Sequence, residues 1–216
     1  MTTQRIIVAI TGATGAIFGV RALERLREFD VELHLIISAW GAKTIEHETG
    51  RSVREVRALA DVVHRPSDQA ATVSSGSFVT AGMLVAPCSV KTLAAISSGF
   101  AEDLVTRAAD VVLKEQRKLV LMVRESPFNT IHLENLLRVA RAGATILPPM
   151  PAFYNEPASI DDLVDHIVTR ALDQFDLHSE ATKRWDGELS HSRHGIAAMI
   201  DPAPSPSMIN GSEYPT

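Results

Sequence analysis

The chain of 216 residues is 45% apolar, carries 21 basic and 26 acidic side chains for a net charge of -5, and is long enough to bury one sizeable core. That balance gives no general attraction to nucleic acid or to an anionic membrane surface, and no apolar stretch approaches the roughly 18 residues that a spanning helix needs. The single cysteine, Cys88, excludes an internal disulfide framework and a cysteine-based zinc site, and it fits a reducing, cytoplasmic compartment.

In chain order, the first apolar run, Arg5 to Ile10, predicts a buried strand that enters the turn Thr11-Gly-Ala-Thr-Gly15, with a helix over Ala16 to Glu28 behind it. Gly12 and Gly15 allow a sharp turn and a close backbone approach, and the helix start offers free N–H groups to an anion. The spacing Gly-x-x-Gly-x-x-x-Gly departs from the strict dinucleotide fingerprint, and a turn that merely joins strand to helix is the alternative. The second strand, Val31 to Ile37, ends on Ser38, Ala39 and Trp40, before a helix over Ala39 to Thr49. A dinucleotide site places an acid there for the adenosine ribose, or an arginine for a 2′-phosphate. A serine hydroxyl instead suits the phosphate or ribityl chain of a mononucleotide, which favours FMN over NAD(P).

The third strand, Met83 to Ala86, leads into Pro87-Cys88-Ser89-Val90-Lys91-Thr92 and a helix over Val90 to Ser97. Hydroxyls and amides at that helix start form a second candidate anion or ribityl site; the alternative is that Ser89 is only an N-cap. Cys88 reads as a small buried residue without a catalytic role. After a helix over Leu104 to Glu115, the strand Leu119 to Val123 delivers Arg124 and Glu125 to its carboxyl end. The guanidinium can hold a phosphate bidentately and the carboxyl can move a proton; a plain surface ion pair is the alternative. In the next helix, Ile131 to Ala142, His132 and Glu134 are two apart and face different ways, so they mark a capped start rather than a metal site. A strand over Ala144 to Leu147, a Pro-rich loop with Tyr154, and a helix over Ile160 to Phe175 with Arg170 complete the pattern.

Continuous apolar strands alternating with helices predict a single-domain, three-layer αβα fold, a Rossmann-like or flavodoxin-like doubly wound parallel sheet. The expected domain covers 1–185, and residues 186–216 have the composition of a flexible tail. Ligands in such sheets bind beyond the carboxyl ends of the strands.

Taken together, "TGATGA", Ser38, "PCSVKT", "RAADVVLKEQRKLVLMVRESPFNTIHLENLL" and "PPMPAFYNEP" resemble the flavin prenyltransferase (UbiX) family, in its phenolic acid decarboxylase branch. The resemblance implies transfer, without a metal, of a dimethylallyl group from dimethylallyl phosphate to N5 and C6 of reduced FMN. The prenylated FMN then serves a UbiD-type aromatic acid decarboxylase. It implies FMN contacts at Gly12, Ala13, Thr14, Ser38, Ser89, Val90, Lys91, Thr92 and Arg124. Allylic phosphate contacts are implied at Lys114, Arg124, Tyr154 and Arg170. Glu48 and Glu125 match the family's active-site carboxylates, and the family's dodecamers with sites at subunit contacts imply a homo-oligomer. Thr14 stands where a serine is often found, and Gln69 where many members carry tryptophan. An FMN-binding flavoprotein decarboxylase, or a non-catalytic decarboxylase subunit, is the alternative.

Overall fold

Each apolar run singled out in the sequence becomes a strand of one sheet. The computed structural model describes residues 4–179 and 184–185. Strands β1 (Gln4–Ile10), β2 (Val31–Ile37), β3 (Val62–His64), β4 (Gly82–Cys88), β5 (Lys118–Val123) and β6 (Thr145–Ile146) pair in parallel, in the order β3-β2-β1-β4-β5-β6. The helices are α1 (Ala16–Leu26), α2 (Ala39–Thr49), α3 (Val53–Arg57), α4 (Val90–Ser98), α5 (Leu104–Lys114), α6 (Thr130–Arg141) and α7 (Ile160–Leu172). With β3 counted, the strand order is that of dinucleotide-binding sheets; without that short edge strand, the other five follow the flavodoxin order.

The sheet is apolar on both faces because helices cover both. Ile6, Val8, Ile10, Leu33 and Leu35 pack with Val20 and Leu23 of α1 and Val168 and Leu172 of α7. Ile7, Ala9, Met83 and Val85 face the other way, onto Leu93, Leu104, Ala108 and Val139 of α4, α5 and α6. Three layers result, as the continuous apolar strands predict. Neither β3 nor α3 is anticipated by the apolar pattern. Three residues are too few to show a period, and the five of α3 are held by a capping box between Ser52 and Glu55. The last helix also stops earlier than its spacing suggests, tightening into a 3₁₀ turn over Asp173–Phe175.

Two features of α1 position the site. A Cβ on Gly19 would lie 2.2 Å from the Ala86 carbonyl oxygen, so only glycine lets the helix lie this close to the end of β4. On its outer side, Arg21 bonds Asp161 and Asp165 at 2.7 and 2.6 Å, and Arg25 reaches Asp165 at 3.0 Å. This ladder sets α7 alongside α1 and pointing the same way. Desolvation alone would raise the Asp165 carboxyl, but hydrogen bonds and charge from Arg25 and Arg21 hold it below the ordinary aspartate range. The stabilisation is therefore present above the unfolded value of about 3.9 and is lost as pH falls through the lower folded value. Asp165→Asn is expected to cost about 1–2 kcal/mol, above the worth of a fully exposed pair, and to flatten the acid limb of stability measured by urea unfolding from pH 7 to pH 3.

Candidate active site

The doubly wound topology sends β1 into α1 on one face and β4 into α4 on the other, opening a crevice between the two turns. Thr11 ties them together: its hydroxyl donates to the Pro87 carbonyl at 2.8 Å and accepts from the Ser89 N–H at 2.8 Å. Both capacities of that hydroxyl are spent on structure. Ser38 and Ser89 are N-caps, accepting from the amides of Gly41 and Thr92 at 3.0 and 3.2 Å. The Ser38 proton stays available. Ser89 and Thr92 share one hydrogen bond between their hydroxyls, which leaves one proton of the pair to a ligand. N-cap and ligand donor are thus not competing descriptions of Ser89.

These turns line a cavity of about 830 Å³ whose wall includes Gly12, Ala13, Thr14, Ser38, Ser89, Val90, Lys91, Thr92, Arg124 and Glu125. The volume suits a cofactor-sized molecule. Arg124 enters as its backbone N–H bonds the Cys88 carbonyl at 3.1 Å, which locks the β5 end to the β4 end. Among the described residues its guanidinium makes no ion pair, and neighbouring Glu125 accepts instead from the Ser126 N–H at 3.0 Å. A fork of donors without an acid partner, in a cavity wall beside hydroxyls and a helix start, is suited to holding an anion. Burial pushes the Cys88 thiol up to about 12, so it is no nucleophile. Among the described residues no three His, Cys, Asp or Glu side chains gather where a metal ion could sit. His132 closes a capping box with Asn129, the capped start that its sequence position predicts.

Four of the sequence candidates lie outside the cavity wall. Glu48, from the last turn of α2, accepts the Gly15 and Ala16 amides through one oxygen at 2.8 and 2.9 Å. It supplies the cap that α1, starting at Gly15, lacks locally. Lys114 ends α5, just before β5 begins, and pairs with Glu115. It sits at the amino edge of the sheet, separated from Arg124 by the six residues of β5, or about 20 Å of strand.

Tyr154 and Arg170 belong to a third group, on α7. The Tyr154 hydroxyl is 3.4 Å from His166 Nε2, and the two rings meet edge to face at 5.7 Å. Arg170 follows one helical turn later and bonds Asp173 at 3.2 Å. Asp173, 8% exposed, also holds Arg184 through both oxygens and His178. Desolvation opposes its charge, but these cations keep its carboxyl below the usual range. His166 is shifted the other way, down, first by burial and then by the charge of Arg170. Neither Asp173 nor His166 stands out in the sequence; the available signal is a polar side chain on the apolar face of α7, within one turn of Arg170.

Hydroxyl-capped turns and an unpaired guanidinium at the switch point of a parallel sheet define a flavodoxin-like nucleotide-binding protein, with a cradle sized for one phosphate group and its sugar chain. The Flavoprotein family profile matches residues 1–172. A probable UbiX-like flavin prenyltransferase from Streptomyces sp. (strain D7) is 62% identical over 85% of this chain and 92% of its own. Among solved structures, AnUbiX (PadA1) in complex with FMN and dimethylallyl pyrophosphate superposes with a TM-score of 0.86 at 56% identity, over 87% of this chain and all of that one. A dodecameric FMN-dependent UbiX-like decarboxylase from Escherichia coli O157:H7 gives 0.84 at 59%, over 85% of this chain and 100% of that one. The chain belongs to the UbiX-like flavin prenyltransferases of the flavoprotein family.

Proposed function

We propose that this protein joins the dimethylallyl group of dimethylallyl phosphate to reduced FMN, making prenylated FMN for a UbiD-type decarboxylase. The observation that carries the reading is the unpaired Arg124 guanidinium beside the hydroxyls of Ser38, Ser89 and Thr92, in a chain of this family. Residues 1–185 form the flavin-binding domain. The site residues are the cavity-wall set together with Glu48, Lys114, Tyr154 and Arg170, and the compartment is the cytoplasm. No described helix is long and apolar enough to cross a membrane.

Reduced FMN supplies the electron-rich acceptor, at N5 and C6. The chain's own residues do the rest. Ser38, Ser89 and Thr92 hold the phosphate and ribityl oxygens with their free protons, and Thr14 and the amides of Gly12 and Ala13 border the same space. When the allylic C–O bond breaks, its electron pair leaves with the phosphate, and that growing negative charge is met by cations rather than by a metal. Arg124 is already in place for this, with Arg170 and Lys114 as further cations and the Tyr154 hydroxyl as a donor. Glu125, in the same wall, is positioned to take the proton that C6 releases on ring closure. Lys114 lies a strand length from Arg124 in its own protomer, so it reaches the anion from a second copy of the chain. That fits the dodecameric assembly of the relative from Escherichia coli O157:H7.

The direct test is anaerobic incubation with reduced FMN and dimethylallyl phosphate, followed by mass spectrometry of the extracted flavin. A gain of one prenyl unit is the expected result. Unchanged FMN with both dimethylallyl phosphate and its diphosphate would overturn the reading.

A further inference from the structure

The strand order β3-β2-β1-β4-β5-β6 is that of sheets that bind dinucleotides, which lay a pyrophosphate on the start of α1 and an adenosine ribose at the end of β2. In this chain both places are taken by its own side chains. At the start of α1, the Glu48 carboxylate receives the Gly15 and Ala16 amides at 2.8 and 2.9 Å. It thereby fills the positive end of the helix with an anion that never leaves the molecule. A second phosphate brought there would lose those amides and meet a like charge. At the end of β2, the Ser38 oxygen already caps α2, and Trp40 follows in the first turn of the helix. A Cβ on Gly12 would lie 2.3 Å from the Trp40 Cβ, so the β1 turn and the start of α2 are in direct backbone-level contact there, with no gap between them. The indole beyond, 67% exposed and backed by Lys43 at 4.4 Å, forms part of the cavity wall at the place an adenosine would cross.

We propose that Glu48 and Trp40 are the specificity-determining residues that restrict this site to a mononucleotide, Glu48 by occupying the pyrophosphate position and Trp40 by occupying the adenosine position. Selectivity here is built by filling the competitor's contacts as much as by offering contacts to the ligand. The inference rests on the reading of FMN as the bound nucleotide. FAD is the informative competitor, since it carries FMN whole and adds only the adenylate half.

The test is the ratio of dissociation constants for FMN and FAD, read from quenching of flavin fluorescence, in the wild type, Glu48→Gln, Trp40→Ala and the double variant. Glu48→Gln retains an oxygen that can accept the two amides while removing the charge. In the wild type FAD is expected to bind about 100-fold or more weakly than FMN. In the double variant the gap is expected to narrow at least about tenfold through tighter FAD binding, each single variant giving a share of the change. Equal affinity of the wild type for both flavins would overturn the inference. So would an unchanged ratio in variants that still bind FMN, or a narrowing produced by weaker FMN binding alone. If the double variant does not fold, the two single variants carry the same comparison. Failure of the wild type to bind FMN at all would overturn the functional reading itself, and is seen before any variant is made.

Discussion

Arg124→Ala is expected to lower kcat/KM for dimethylallyl phosphate by about 10²–10³-fold, the cost of removing one preorganised donor from a site where negative charge develops. Several features make the effect large. The guanidinium has no acid partner among the described residues to release it from, and its backbone is fixed to the Cys88 carbonyl at the carboxyl end of β4. It also lies in the wall of the same cavity as the Ser38, Ser89 and Thr92 hydroxyls. Arg124→Lys should recover little, since an ammonium cannot present the planar fork. Steady-state kinetics at saturating reduced FMN separates the loss in transfer from any weakening of flavin binding. A variant within threefold of the wild type would remove Arg124 from the proposed chemistry.

The second large effect concerns Lys114. The activity of Lys114→Ala is expected to fall by about 10²-fold, although the lysine stands at the opposite edge of the sheet from the cavity. The distinguishing experiment mixes Lys114→Ala with Arg124→Ala after dissociation and reassembly. If each site takes its arginine from one chain and its lysine from another, random assembly restores both residues to roughly a quarter of the sites. Recovery near that fraction is the expected result. If one chain supplied both residues, every site would keep one defect and the mixture would stay inactive, and the assignment of Lys114 to a neighbouring copy would fail.

Much of the fold is legible in the sequence because doubly covered strands have to be apolar throughout. Val31 to Ile37 is read with the bounds that β2 has in the structure, and the helix over Ala39 to Thr49 likewise. β3 escapes because Val62–His64 is too short to show a period, and its neighbours in sequence are polar. At the site, turns that begin a helix directly after a strand announce themselves locally, so Gly12, Ser38, Ser89 and Arg124 are legible. The capping role of Glu48 is not, because its partners Gly15 and Ala16 lie more than thirty residues away along the chain, and only folding brings α2 over the start of α1. The available hint is negative. A helix that begins at Gly15, with no Ser, Thr, Asp or Asn to cap it, has to find its acceptor elsewhere. His166 and Asp173 are hidden for a similar reason, since α7 shows what they touch only once Tyr154 and Arg184 have come back to it. The 186–216 tail lies outside the described residues.

Thr11 also bears on how a finished molecule leaves. Because a single hydroxyl bridges the Pro87 carbonyl and the Ser89 amide, the β1 and β4 turns cannot move independently, and the width of the cradle is set before any ligand arrives. A clamp of this kind has no hinge between its jaws. Hand-over of its contents then depends on the grip of the recipient protein, which has to compete for the molecule through the open mouth of the cavity instead of waiting for the holder to spring apart.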